Sequence, residues 1–164
     1  MLQSGMRVKC PSGMRRVETL LPSDLVTTAD QGELELLSCE SLVRPTRDLP
    51  TDLHPIRLDR WCFGAGFPRR DLTVSPAQRV AVKGARMGAM LGTEDGLVCA
   101  SELLEHDGIR RLDRDEIAYT RLVLRTSALL IVHGWALEVP GIEQSSEAEV
   151  REAQKFFSTL EAEC

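Results

Sequence analysis

The stretch Pro55-Ile56-Arg57-Leu58, followed by Gly64, Gly66-Phe67-Pro68-Arg69-Arg70-Asp71-Leu72-Thr73-Val74-Ser75-Pro76 and Arg79-Val80, decides how this chain folds. Its apolar residues come in short groups of strand length, punctuated by Gly and Pro. Ile56 to Leu58 reads as one strand, Phe63 to Pro68 as a loop, and Leu72 to Val74 as a second strand. Ser75-Pro76-Ala77 turns the chain, and Arg79-Val80-Ala81-Val82-Lys83 resumes it.

The same texture extends outward. Met6-Arg7-Val8 reads as a strand, Pro11-Ser12-Gly13 as a turn, and Arg15 to Leu20 as a return strand. Pro22-Ser23-Asp24 turns again, Leu25 to Thr28 is β-branched enough for a strand, and Asp30-Gln31-Gly32 closes it. Leu34 to Val43 fits either the strand or the helix period, and Arg44 to Leu53, rich in Pro and Asp, is expected as an exposed connection. Further on, Ala85 to Leu91 suggests a short helical turn and Leu97 to Ala100 a strand. Ala118 to Leu124 and Ala128 to Val132 read as late strands joined through Arg125-Thr126-Ser127.

The tail changes character. Ser146 with Glu149 forms a capping box, and Val150, Ala153, Phe157 and Leu160 recur on one stripe. Glu147, Glu149 and Glu152 favour the helix start, whereas Glu161 and Glu163 oppose its end. Residues 146–162 are expected as an amphipathic helix, more readily packed back onto the domain than binding a partner or self-associating. The expected fold is mainly β: a folded ribbon or barrel of short strands over residues 1–142, with a helical extension over 143–164.

Composition bounds the function. At 164 residues, 43% hydrophobic and 27% charged, the chain suits one globular domain. A net charge of -5 argues against a nucleic-acid surface. No apolar stretch is long enough for a membrane span and no signal peptide is evident, so a cytoplasmic location is expected. Cys10, Cys39, Cys62, Cys99 and Cys164 form no CxxC pair and, with His54, His106 and His133, no finger-like zinc spacing. Buried thiols and no metal or other cofactor are expected. Gly64-Ala65-Gly66 lacks the third glycine of a dinucleotide loop. Asp113, Asp115 and Glu116 interleave with Arg110, Arg111 and Arg114, which points to a solvated loop.

Three blocks together resemble the bacterial Hint-type domain, the self-processing module shared by Hedgehog proteins and inteins. The first is Gly5-Met6-Arg7-Val8, Gly13, Val17-Glu18-Thr19-Leu20 and Ser23 to Thr27, with Asp30 and Gly32. The second is the opening stretch, similar to the family's P-V-R-[IV] … G-x-G-L-P-x-R-D-L-x-V-S-P-x-H-R-V run. The third runs from Leu97-Val98 and Leu103-Leu104 through Ala118-Tyr119 to His133-Gly134.

The resemblance implies an attack by a cysteine or serine on the carbonyl before it, making a thioester or ester. That nucleophile aligns with Met1, whose thioether has no proton to lose and before which no residue is expected. A histidine that would protonate the departing nitrogen aligns with Gln78. The histidine of the third block aligns near Ser127, the following Asn-Gly becomes His133-Gly134, and the terminal His-Asn falls at Leu137-Glu138-Val139. Thr73 would line the pocket or serve only as a strand residue. Cys10 and His133 are the available substitutes, read respectively as a structural thiol and as a turn or core residue. If the resemblance holds, Met1, Gln78, Ser127 and His133 should converge on one cleft. The expected function is a degenerate Hint domain acting in binding or as a scaffold; the alternative is an active autoprocessing domain.

Overall fold

The computed structural model describes residues 1–64, 66–83, 95–142 and 147–157. Among the described residues, fourteen strands precede one helix. They are β1 (Leu2–Gln3), β2 (Arg7–Cys10), β3 (Gly13–Arg16), β4 (Leu25–Thr27), β5 (Glu33–Glu35), β6 (Ser38–Pro45) and β7 (Ile56–Leu58). Then come β8 (Leu72–Val74), β9 (Arg79–Lys83), β10 (Asp95–Cys99), β11 (Ile109–Arg111), β12 (Glu116–Val123), β13 (Ala128–Val132), β14 (Trp135–Val139) and helix α1 (Glu147–Phe157). The protein is mainly β with one late helix, as its sequence pattern anticipates.

One sheet has the order β11-β7-β8-β1-β12-β6, a second β10-β9-β14-β13-β2-β3, and β4 with β5 forms a small ribbon. Alternation makes the main core: Val8 and Cys10 of β2, Leu72 and Val74 of β8, and Leu130 and Val132 of β13 all point inward. A smaller cluster joins Phe156 of α1 to Leu49, Leu53, Ile117 and Tyr119.

Several expected boundaries shift. The return strand ends at Arg16, because Val17 is fully buried and its N–H donates to Met6 O at 2.8 Å, which bends Val17–Thr19 into a 3-10 turn. The ambiguous Leu34–Val43 region is β5 and the start of β6. The Arg44–Leu53 connection is not simply exposed: β6 runs to Pro45, two 3-10 turns follow, and Leu49 and Leu53 are buried. Strands β1, β11 and β14 carry no clear sequence signal. β1 is two residues long and exists because Leu2 pairs with both Thr120 and Val74. The Ala85–Leu91 expectation lies outside the described residues, as do Ser146 and Leu160.

Helix α1 does pack back onto the β body. Its stripe centres on Ala153 and Phe156 rather than on Phe157, which is only half-buried. Phe156 meets the edge of the Tyr119 ring at 5.0 Å, and its carbonyl accepts from Arg44 Nη1 at 2.9 Å. Full burial of such a ring is worth about 1.5–3 kcal/mol, enough to hold a short helix against a sheet. Lys155 adds an exposed ion pair to Asp52 at 3.2 Å.

Candidate functional site

The double pairing of β1 brings the start of the chain against the turn that follows β8. Ser75 N–H donates to Met1 O at 2.9 Å, and in return the Met1 amino nitrogen donates to Ser75 Oγ at 2.7 Å and to Gln78 Oε1 at 3.1 Å. Ser75 is fully buried and Gln78 is 3% exposed. The turn itself is tight: Pro76 presets it and Gln78 N–H closes onto Ser75 O at 3.0 Å.

The Gln78 side chain is oriented by its own donors. Its Nε2 donates to Glu138 O at 2.6 Å and to Arg79 O at 3.0 Å, and carbonyl oxygens can only accept. The Oε1 atom is thereby left facing Met1. Glu138 also pairs its carboxylate with Arg79 at 2.8 Å. Burial pushes the Glu138 carboxyl upward; Arg79 opposes this and Glu149 reinforces it.

Helix α1 closes the other side. Glu152, 6% exposed, accepts from Ala77 N–H at 3.0 Å. Glu149, Glu152 and Ala153 face Met1, Gln78 and Glu138 across a cleft of only about 30 Å³. Burial lowers the Met1 ammonium, while Glu152 and Glu149 partly hold it up. The arrangement binds the Met1 nitrogen through two neutral oxygens and surrounds it with carboxylates.

A model of the Hint domain matches residues 2–140, which takes in every strand of the body. The chain belongs to the Hint domain family. Solved structures agree on the fold. The chain is similar to the MchDnaB-1 intein at a TM-score of 0.55 and 8% identity, covering 85% of this chain and 99% of that one. It is similar to the N145AA form of that intein at 0.56 and 9%, covering 86% and 100%. A third likeness is the Msm DnaB1 intein splicing domain bound with zinc, at 0.54 and 9%, covering 85% and 99%. A comparison with curated protein sequences finds no match. Helix α1 lies beyond the residues that the Hint model matches.

The four positions expected to converge do not share one cleft; the family match over residues 2–140 stands, so the expectation failed in its placement of Ser127 and His133. Met1 and Gln78 touch; Ser127 and His133 lie elsewhere. Ser127 Oγ accepts from Gly141 N–H at 2.9 Å, and its carbonyl accepts from Gln31 Nε2 at 2.7 Å, so it ties the departing chain to the β12–β13 connection. His133 has φ 47° and Gly134 φ 80°, which makes them the two-residue turn between β13 and β14. Its Nε2 accepts from Arg7 N–H and its Nδ1 bonds to Asp71 O, each at 3.0 Å. Thr73 alternates with buried Leu72 and Val74 and sits opposite Arg57 on β7, away from the cleft.

The sequence reading passed over Ser75, Glu138 and Glu152. Ser75 was legible in principle, since it stands three residues before Gln78 in the same Ser-Pro turn. Glu152 was not, because only packing brings α1 there. No thiol is activated among the described residues. Burial raises Cys10 and Cys39, and pushes Cys62 and Cys99 up to about 11. Among the described residues no three of His, Cys, Asp and Glu gather as a metal site, and no helix is long and apolar enough to cross a membrane.

Proposed function

We propose that this Hint domain is a degenerate, non-cleaving module that acts in binding or as a scaffold. The observation that carries the reading is the Gln78 amide. It stands at the nitrogen that the family's reaction must protonate, with its oxygen toward that nitrogen and both donor hydrogens engaged by carbonyls. A neutral amide supplies no proton near pH 7. The Met1 thioether, in the nucleophile's place, has none to lose. On this reading residues 1–142 are the Hint body, and 143–164 are an extension whose helix fills the cleft instead of leaving it open to a peptide.

The test places a peptide bond before Met1, whatever precedes that residue naturally. A carrier protein fused upstream of the full chain is incubated with dithiothreitol or hydroxylamine and followed by electrophoresis and mass spectrometry. The fusion is expected to stay intact. Thiol-dependent release of the carrier overturns the proposal, and loss of that release in Cys10→Ala would identify Cys10 as the nucleophile.

A further inference from the structure

A second concentration of chemistry lies on the outer face of the β2–β3 hairpin. Val8 and Cys10 point into the core, so Arg7 and Lys9 point out. Arg16 stands directly opposite Arg7, and Met14, 44% exposed, opposite Lys9. Arg69 and Arg70, from the loop before β8, close the side of a concavity of about 420 Å³. Among the described residues its lining holds four cations, Ile131 and His133, and no carboxylate.

This is an unusual grouping on a chain with 25 acidic residues and a net charge of -5. Among the described residues none of Arg7, Lys9, Arg16, Arg69 and Arg70 has an ion pair. The adjacent Asp71 carboxylate is already taken by Arg57 and by Arg60 N–H. Like charges directly across a strand pair destabilise it, so the Arg7–Arg16 pairing costs stability without internal compensation. Charge on the edge strand β3 would guard against unwanted pairing. That account does not reach Arg69 and Arg70, which come from a loop.

An apolar groove of about 250 Å³ adjoins the concavity and shares Ile131 and Gly134 with it. Phe67 and Trp135 form its wall. Trp135 packs against Phe63 and Phe67, with ring centroids at 5.2 and 5.4 Å, and its indole N–H is bonded to Ala81 O. The net negative chain would repel a long polyanion.

We propose that this face binds an acidic peptide segment carrying a bulky apolar residue. Carboxylates meet Arg7, Lys9, Arg69 and Arg70, and the apolar side chain enters the groove beside Ile131 and Trp135. The inference deepens the binding role proposed above, and it uses a surface separate from the Met1–Gln78 cleft. Its failure would therefore leave the fusion result untouched, and carrier release would leave the peptide result untouched.

The probe is a short fluorescein-labelled peptide alternating Glu with Leu, titrated with the full chain and read by fluorescence anisotropy. Matched peptides alternating Lys with Leu or Glu with Ser, and a labelled oligothymidylate, are run beside it. The Glu-Leu peptide is expected to bind in preference to all three. Arg7→Glu with Arg70→Glu, both exposed, should weaken it roughly tenfold or more with an unchanged circular dichroism spectrum. The milder Arg70→Gln should weaken it several-fold, and serves if the double reversal fails to fold. No binding of the Glu-Leu peptide, equal binding of the Glu-Ser peptide or oligothymidylate, or full affinity in the folded variants would each overturn the proposal.

Discussion

The amide nitrogen of Gln78 donates to the main-chain oxygen of Glu138 at 2.6 Å, and that bond determines which atom of the amide faces Met1. Strand β14, which supplies Glu138, thereby sets the chemistry available at the first residue.

If the missing proton donor and nucleophile are what silence the domain, restoring both should revive the first step. In the carrier fusion, Met1→Cys with Gln78→His is expected to give thiol-dependent release. Its rate should exceed that of Met1→Cys alone by roughly 10²-fold or more, the usual worth of a positioned acid. Equal rates in the two variants would show that Gln78 is not what limits the reaction.

The Phe156 ring and the Glu152 carboxylate are the large side chains that helix α1 buries against the β body. Phe156→Ala should cost about 3–5 kcal/mol of whatever equilibrium docks the helix, seen as lost amide protection along residues 147–157. Glu152→Ala should lose about 1–3 kcal/mol and expose the Ala77 amide to exchange. Unchanged protection at Ala77 would mean that Glu152 does not close the cleft in solution.

His133 predicts a pH dependence. Burial holds its imidazole below the ordinary 6.5, with Arg70 and Arg7 adding to this against the bond to Asp71. The unfolded chain is then protonated first. His133 contributes stability that is present above pH 6.5 and is lost as pH falls from there toward the folded value. Urea unfolding should show a drop in stability as pH falls through and below 6.5 that is smaller in His133→Asn, a residue suited to the positive φ. Glu138 contributes with the opposite sign, since its raised carboxyl loses stability as pH rises through it. For that reason the difference from His133→Asn, rather than the raw slope, is the measure.

Gly141 has no room for a side chain. A Cβ there would lie 2.6 Å from Ser127 N and 2.7 Å from Thr126 C, both backbone atoms. Gly141→Ala should cost about 2 kcal/mol or more, and Ser127→Ala about 1 kcal/mol for the lost bond to Gly141. Thermal or urea unfolding gives both values. A neutral Gly141→Ala would mean that the chain leaves β14 by another path.

Strand-and-turn texture, family and late helix were all legible in the order of residues alone. Alternation in Leu72–Val74 and Arg79–Lys83 and the apolar run Ala128–Val132 are local properties, and the long run from Pro55 to Val80 is specific enough to name a fold. Packing alone revealed β1, which pairs with the distant Thr120 and Val74, and the place of β14 in its sheet, where Leu137 meets Val80. It also decided the site. Gln78 could be read as a residue without a proton to give, but its orientation depends on the carbonyl of Glu138, sixty residues away in sequence. The cover over Met1 likewise depends on Glu152 meeting Ala77. Local propensity writes strands and turns, whereas a cleft is built from long-range contacts that no single segment encodes.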